Sequence, residues 1–286
     1  MPVIRSIPPL NALLLIGAAV AFHAWAAAES PGQPGFGYSE YASVLDRFVS
    51  EDGLVDYEAL KQNDDSLKRF IRRLGELSAE RFGDWSEDRQ IAFLINAYNA
   101  IALDLVVKHY PISPSPVGFF LWPNNSIRQI PGVFDRKTYT VMGREMTLDD
   151  IEHERLRIDY DEPRIHMALV CAAQSCPPLR KEPYTAQQLD KQLDSQTRRF
   201  LTRESNFRIA REKDVVYLSS IFKWFGDDFI DTHTPQRGFG ENDKAERAVL
   251  HFLTGYLDES QREYLRRGAY RVRYLNYDWS LNEQQG

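Results

Sequence analysis

The sequence predicts an α+β fold, with a single helix-rich domain and a small, mainly antiparallel sheet. Apolar residues recur at helical spacing in several segments. Strand-like segments occur in pairs joined by tight turns and do not alternate regularly with helices, which favours hairpins over a parallel sheet. No internal linker divides the chain, so we expect one domain over residues 29–286.

The first 28 residues have the layout of a secretory signal peptide. Arg5 precedes an apolar core over residues 11–22, and small residues follow it. This core is shorter than the roughly 20 residues that a helix needs to span a bilayer, and no later apolar run without charged residues reaches about 20 residues. We therefore expect residues 1–28 to be cleaved, a periplasmic or secreted mature protein, and no stable membrane insertion after cleavage.

The charge and composition limit the classes of partner. A net charge of −6 at pH 7 argues against nucleic acid, because a phosphate backbone binds basic surfaces. The mature chain is long enough to bury a sizeable core, so it needs no cofactor, metal or disulfide in order to fold. We predict no cofactor. The dinucleotide-binding, P-loop, nucleophile-elbow and zinc-protease motifs are all absent from the sequence.

Helical patterning is strongest between Glu87 and Val107, after Ser86 as the N-cap residue. The run IAFLINAYNAIALDLVV is apolar all round, which predicts a buried helix. Asn96 and Asn99 lie three positions apart on this helix, and a buried amide without partners costs on the order of 1 to 3 kcal/mol. The pair is therefore expected either to fasten the backbone of a neighbouring loop or to line a pocket.

A hairpin is predicted around the turn Met142-Gly143-Arg144. Thr147 and Asp150 follow it at the spacing of a capping box. The helix that they begin, LDDIEHERLR, carries Glu152 and His153.

Other elements are predicted on both sides of this region. Residues 111–136 hold five prolines and several aromatic residues, which is typical of an ordered loop that shapes a site. FRIA (207–210) and VVYL (215–218) predict a second hairpin, and YRVRYLNYDW predicts a closing strand. The remaining predicted helices span residues 38–49, 65–77, 185–201, 242–257 and 259–267.

Both cysteines lie in residues 163–179, PRIHMALVCAAQSCPPL. The apolar run from Ile165 to Val170 predicts an extended strand, with Cys171 leaving its end and Cys176 in the loop beyond. Their C-x4-C spacing differs from that of thioredoxin-like redox motifs. The residue types alone suit a structural disulfide as well as a reactive thiol.

Several segments, taken in order, carry a family resemblance. They are FLINAYNAIAL (93–103), GVFDRKTYTVMGREMTLDDIEHERLR (132–157), RIHMALVCAAQSCPPLR (164–180) and LSSIFKWFGDDF (218–229), with GLVDY (53–57) and YDWSLN (277–282) as outlying matches. The chain thereby resembles bacterial members of the domain of unknown function 547 family, with the family core at about residues 85–230.

The resemblance implies more about the cysteines than the spacing does. Plant members are similar in this segment but carry a serine where Cys176 stands, which implies that Cys171 is the more important thiol. The family is also similar to papain-like or transglutaminase-like thiol enzymes, which implies a related fold. This chain departs from those enzymes in having no cysteine on the long helix where they carry theirs.

A catalytic thiol needs a base, and strand geometry decides which histidine is predicted to serve. Side chains alternate along a strand, so His166 and Cys171 would point to opposite faces. His153 lies on the preceding helix, only a short connection away. We therefore predict Cys171 as nucleophile and His153 as its base. Glu152, about 100° around the helix from His153, is expected to cap the helix, pair with an arginine or contact substrate.

Two classes of function follow from these residues. The first is a thiol-dependent hydrolase or acyl transferase acting on peptide or amide bonds of the cell envelope, with an envelope peptide or small molecule as ligand. The alternative is a non-catalytic envelope binding or scaffold domain with a structural disulfide between Cys171 and Cys176. We predict no metal site, since H-x4-C-x4-C is not a usual zinc spacing. Candidates for orienting the base are Asn96, Asn99, Asp227 and Asp228.

Overall fold

A computed structural model describes residues 36–115 and 118–284 of the protein, without the side chain of Phe119. The predicted signal peptide lies outside these residues. From Tyr38 onward the chain groups into one unit. It opens with helices α1 (Ser39–Phe48), α2 (Tyr57–Gln62), α3 (Asp65–Glu76), α4 (Ala79–Gly83) and α5 (Glu87–His109).

Helix α5 is the central element of this half of the fold. All of its residues from 91 to 107 are buried, as its uniformly apolar sequence predicts. Acidic residues occupy its first turn and Lys108 and His109 its last, an arrangement that suits the helix dipole. Among the described helices, α5 is long and apolar enough to cross a membrane, but 94% of its apolar window is buried inside the protein. It therefore serves as a core helix.

The predicted hairpin is confirmed: β1 (Tyr139–Val141) pairs antiparallel with β2 (Arg144–Met146). Met142 and Gly143 form its two-residue turn, and both have positive φ, at 53° and 68°. Two-residue hairpin turns of this kind require left-handed backbone at both positions, which glycine adopts readily.

The predicted capping box is also confirmed. The Thr147 hydroxyl accepts a hydrogen bond from the Asp150 backbone at 3.0 Å, and the Asp150 carboxylate accepts one from the Thr147 backbone at 2.8 Å. The helix that follows runs as α6 (Leu148–Ile151), a π-helical turn (Glu152–Leu156) and α7 (Arg157–Asp159). A π turn inside a helix is often found at functional sites.

The strand predicted from Ile165 to Val170 is wrong. Pro163–Met167 forms a 3-10 helix, and the chain continues as an irregular segment. Proline is well suited to the first helical position, where its missing N–H removes no hydrogen bond. Beyond this turn, the Asn99 side chain binds the backbone in place of a neighbouring strand. Its amide donates to the Ala168 carbonyl at 2.9 Å and its oxygen accepts from the Val170 N–H at 2.8 Å.

The C-terminal half contains helix α8 (Leu189–Leu201) and a three-stranded sheet. Strand β3 (Phe207–Ala210) pairs antiparallel with β4 (Val215–Leu218), and β5 (Arg271–Tyr274) pairs parallel with β4. Four helices contribute residues to the same apolar core as this sheet: α9 (Ser220–Trp224), α10 (Ile230–His233), α11 (Lys244–Thr254) and α12 (Glu259–Arg267). The two small sheets among many helices confirm the α+β fold.

Candidate functional site

A cavity of about 620 Å³ opens between the two halves of the domain. It brings together five of the residues singled out in the sequence. Its polar lining comprises Tyr98, Arg128, Asp135, Asp149, Glu152, His153, His166, Cys171, Cys176 and Tyr277, and its apolar lining includes Phe134, Trp224, Phe225 and Trp279.

The segment that carries the cysteines is held by the C-terminal part of the chain. The Gln174 N–H donates to the Ser280 carbonyl at 2.8 Å, and the Asn282 N–H donates to the Ala172 carbonyl at 3.2 Å. Ala172 itself has φ of 59°, which is uncommon for a residue with a Cβ atom. This pairing places Tyr277 beside both cysteines.

Cys171, Cys176 and Tyr277 form what we call the thiol cluster. Both cysteines are free thiols in the structure. The Cys171 N–H donates to Cys176 Sγ at 3.1 Å, and the Tyr277 hydroxyl lies 3.1 Å from Cys176 Sγ and 3.3 Å from Cys171 Sγ. Cys176 is 2% exposed, whereas Cys171 is only partly buried. A reactant in the cavity therefore reaches Cys171 first.

The two thiols do not have equal pKa values. Burial raises the pKa of Cys176, but hydrogen bonds from Cys171, Tyr277 and the backbone outweigh burial and lower that pKa below its usual range. The hydrogen bond to Cys176, together with burial, raises the pKa of Cys171 well above its usual range. The pair therefore takes its first negative charge on Cys176, and Cys171 keeps its proton.

His153, Arg157, His166 and Asp228 form what we call the imidazole cluster. The Arg157 guanidinium donates to both oxygens of Asp228 at 2.6 and 2.7 Å, and His166 Nε2 lies 2.7 Å from the same carboxylate. Burial raises the pKa of Asp228, but these hydrogen bonds outweigh burial and hold the pKa well below its usual range. Asp228 is thus a carboxylate whose charge Arg157 neutralises and to which His166 adds a hydrogen bond.

The lone pair of His153 is occupied within this cluster. Arg157 Nη1 lies 3.0 Å from His153 Nδ1, and a guanidinium can only donate, so Nδ1 is the acceptor. The other nitrogen, Nε2, then carries the proton and lies 3.8 Å from Asp149. Burial lowers the pKa of His153, which keeps the ring neutral. The structure forms no hydrogen bond between His153 and Cys171, the pair predicted as base and nucleophile.

His166 lies on the same cavity as Cys171, contrary to the alternation argument, because the strand on which that argument depended is a 3-10 helix. Its ring is 3% exposed and stacks on Phe225 with centroids 4.2 Å apart. Burial lowers its pKa, so it is neutral and donates from Nε2 to Asp228. Of the four orienting candidates, Asp228 thus contacts an imidazole, but that imidazole is His166.

Glu152 is the titratable group of the cavity best matched to neutral pH. The π turn buries it beside Tyr98, with which its carboxyl interacts. Burial raises the pKa of Glu152 to about 7, despite the opposing effects of Tyr98 and Arg157. A carboxyl group in this range can both donate and accept a proton near pH 7.

Asn96 and Asn99 do not line the cavity. The Asn96 amide donates to the Tyr184 carbonyl at 2.8 Å, and its oxygen accepts from the Tyr184 N–H at 3.0 Å. Asn99 likewise donates one hydrogen bond to, and accepts one from, the backbone of the segment before Cys171. Both side chains therefore fasten backbone segments, and Asn99 fixes the approach to the thiol cluster.

Sequence reasoning missed Tyr277 and Arg128 as cavity residues. Tyr277 begins the outlying family segment YDWSLN, which was the available signal, but nothing local shows that it meets a cysteine 101 residues earlier. Arg128 lies in the proline-rich loop, whose composition indicates a site without indicating a residue. Across residues 36–115 and 118–284, no group of three or more His, Cys, Asp or Glu side chains could hold a metal ion.

Both cysteines and Glu152 lie within a segment that matches a known family model. Residues 82–201 match the family described as "Protein of unknown function, DUF547". This segment is similar to the DUF547 family. The match includes Glu152, His166 and both cysteines, but Asp228 and Tyr277 lie beyond it. No curated protein and no solved structure matches the chain. The DUF547 description assigns no activity, so function must be argued from the geometry of the cavity.

Proposed function

We propose that the cavity is the active site of a thiol-dependent hydrolase or acyl transferase that acts on peptide or amide bonds. The main support for this proposal is the thiol cluster, in which both cysteines are hydrogen-bonded to the Tyr277 hydroxyl. The same cavity also contains Glu152. A pair that loses one proton readily supplies a nucleophile, and a carboxyl of pKa about 7 supplies general acid–base catalysis.

In the first step, Cys171 Sγ attacks the carbonyl carbon of the substrate. Its proton passes to the Cys176 thiolate, which accepts a hydrogen bond from Cys171 already. The carbonyl π bond opens and its electron pair goes to oxygen, which gives a tetrahedral oxyanion. Cys171 is the nucleophile here because it is the more exposed thiol, and Cys176 takes the role of base that the sequence assigned to His153.

In the second step, the oxyanion re-forms the carbonyl and the bond between carbon and nitrogen breaks. The leaving amine takes the proton of Glu152, which becomes a carboxylate. The acyl group now remains on Cys171 as a thioester, and one proton of the site has left with the amine.

The thioester is released by a water molecule or by an acceptor amine. Glu152 takes a proton from this second nucleophile as it attacks the thioester carbonyl. The bond from carbon to Cys171 Sγ then breaks, and Cys171 recovers its proton from Cys176. Water gives a hydrolase and an amine gives a transferase, and both return the site to its starting protonation state.

We further propose that the substrates belong to the cell envelope. The signal-peptide-like residues 1–28 support export of the chain to a compartment where envelope peptides occur.

The test uses p-nitrophenyl acetate, a small activated acyl donor, followed by peptide p-nitroanilides as amide substrates. We expect a burst of p-nitrophenol and one acetyl group on the tryptic peptide that contains Cys171. Cys171→Ala should abolish both signals. Glu152→Gln should accumulate the acetylated protein, because the thioester then lacks the base that activates water.

The exposed Glu154 on the same helix provides the matched control, and Glu154→Gln should behave like the natural protein. Acetylation of lysines alone, or of Cys171 at equal rates in the folded and the urea-unfolded protein, would contradict the proposal.

A further inference from the structure

Arg128 is a cavity residue that the proposed reaction leaves unused. It lies in a short 3-10 turn, Ile127–Gln129, and its backbone N–H donates to the Ser126 hydroxyl at 3.2 Å. The buried Gln129 amide donates to the Trp122 and Pro123 carbonyls at 3.1 Å each. These bonds hold the turn in place, so the position of Arg128 is built into the loop.

The guanidinium of Arg128 is stacked among aromatic rings. Its central carbon lies 4.0 Å from the ring centroid of Trp279 and 4.7 Å from that of Trp122. Phe134 lies farther away, at 5.4 Å. Stacking on aromatic faces holds the plane of a guanidinium and leaves its edge, where the N–H donors lie, for a ligand.

Arg128 has no acidic partner among the residues that the structure describes, although two aspartates line the same cavity. Asp135 lies 3.7 Å from Arg136, and Asp149 lies 3.8 Å from His153. Neither carboxylate approaches Arg128 within 4.0 Å, and the buried Nε of Arg128 has no hydrogen-bond acceptor. The side chain therefore presents charge and donors to the cavity without a direct ion pair, although from a distance its charge opposes the rise that burial causes in the pKa of Asp149.

Arg128 is connected to the thiol cluster by a wall of aromatic rings. Tyr277, which contacts both thiols, has its ring centroid 4.6 Å from that of Trp279, and Trp279 lies against Arg128. A ligand that follows this wall therefore has its reacting carbonyl at Cys171 and its far end at Arg128.

We propose that Arg128 binds a carboxylate of the substrate, so that the acyl compounds accepted here are those with a carboxylate at a fixed distance from the scissile bond. The carboxylate is either a peptide C-terminus or an acidic side chain. A planar guanidinium edge matches a carboxylate with two parallel hydrogen bonds. This inference rests on the proposed function.

The experiment measures how fast maleimides of matched length label Cys171. One series carries a terminal carboxylate on alkyl chains of increasing length, and the other carries a terminal methyl group. Addition of the thiol across the maleimide double bond needs neither Glu152 nor an amide substrate. We expect the carboxylated probe that spans from Cys171 to Arg128 to react about tenfold faster than its neutral counterpart, as a charge-assisted hydrogen bond allows.

In Arg128→Gln this preference should disappear while the neutral probes keep their rates, which also shows that the variant is folded. The control is Arg136→Gln, an exposed arginine nearby, which should keep the preference. Equal rates for both series in the natural protein would overturn the carboxylate subsite and leave the proposed function standing. Failure of every probe to label Cys171 would overturn the proposed function itself.

Discussion

The thiol cluster and the imidazole cluster line one cavity but differ in how their polar atoms are engaged. In the imidazole cluster, Asp228 receives hydrogen bonds from Arg157 and His166, and Arg157 also occupies the lone pair of His153. In the thiol cluster, the polar atoms are two sulfurs and a hydroxyl that can exchange donor and acceptor roles. The proposed reaction follows this difference, with the histidines stabilising the wall of the cavity and the thiols reacting.

This difference changes the interpretation of a cysteine near a histidine. Proximity in one cavity does not make an imidazole a base if its lone pair already accepts a hydrogen bond. In the proposed mechanism the proton acceptor for Cys171 is the thiolate of Cys176, and the group that titrates near neutral pH is the buried carboxyl of Glu152. The predictions below test whether the two clusters divide their roles in this way.

The largest expected effect is on stability, from Asp228→Asn. The substitution removes the charge that Arg157 and buried His166 share, so we expect a loss of about 2 to 3 kcal/mol in the free energy of unfolding at pH 7. Asp227→Asn, at an exposed neighbouring position, should change it by less than about 0.5 kcal/mol. Urea unfolding at pH 7 measures both.

The pH dependence gives a second check on Asp228. Its pKa is lower in the folded protein than in the unfolded chain, so its contribution is present above the unfolded value near 3.9 and is lost as the pH falls. The difference in the free energy of unfolding between the natural protein and Asp228→Asn should therefore shrink as the pH falls below that value. An Asp228→Asn protein of natural stability that had lost acylation would contradict the structural role of the imidazole cluster.

Glu152→Gln is expected to change the free energy of unfolding by a comparable or slightly smaller amount, but to increase it. Because folding raises the pKa of Glu152 to about 7, its protonated form stabilises the fold fully below the unfolded pKa. That stability is lost as the pH rises from about 4.5 to about 7. Glutamine remains neutral, so Glu152→Gln should exceed the natural protein by about 2 to 3 kcal/mol at pH 8 and match it near pH 4.5.

Urea unfolding at the two pH values checks this prediction, with Glu154→Gln as the exposed control. A Glu152→Gln protein that is less stable than the natural protein at pH 8 would show that Glu152 is ionised and paired in the fold, which would remove the proposed general acid.

Local patterns predicted the elements whose causes are local. The turn Met142-Gly143, the capping box of Thr147 and Asp150, and the buried α5 all follow from residue types at short spacing, and all are present. The need of a buried amide for partners also indicated that Asn99 would fasten backbone, as it does.

The segment before Cys171 was mispredicted for a physical reason. An apolar run of this length is equally compatible with a strand or a buried turn, and Asn99, about 70 residues earlier, supplies the hydrogen bonds that a neighbouring strand would provide. Because of this error, His166 was predicted to face away from Cys171, although both line the same cavity. The roles of Tyr277 and Asp228 depend on pairings across more than 60 residues, which spacing does not reveal.

The division of roles is tested most directly by the pH dependence of iodoacetamide labelling at Cys171, read by peptide mapping. In the natural protein we expect labelling to follow an apparent pKa below the usual cysteine value near 8.5, because the Cys176 thiolate, whose pKa is lowered, takes the proton of Cys171 as its sulfur attacks. Cys176→Ala should raise that apparent pKa and slow labelling at pH 7 about tenfold, whereas His153→Ala should change the rate less than about twofold. The opposite result, with labelling slowed by His153→Ala and unaffected by Cys176→Ala, would restore the imidazole as the base and contradict the dithiol mechanism.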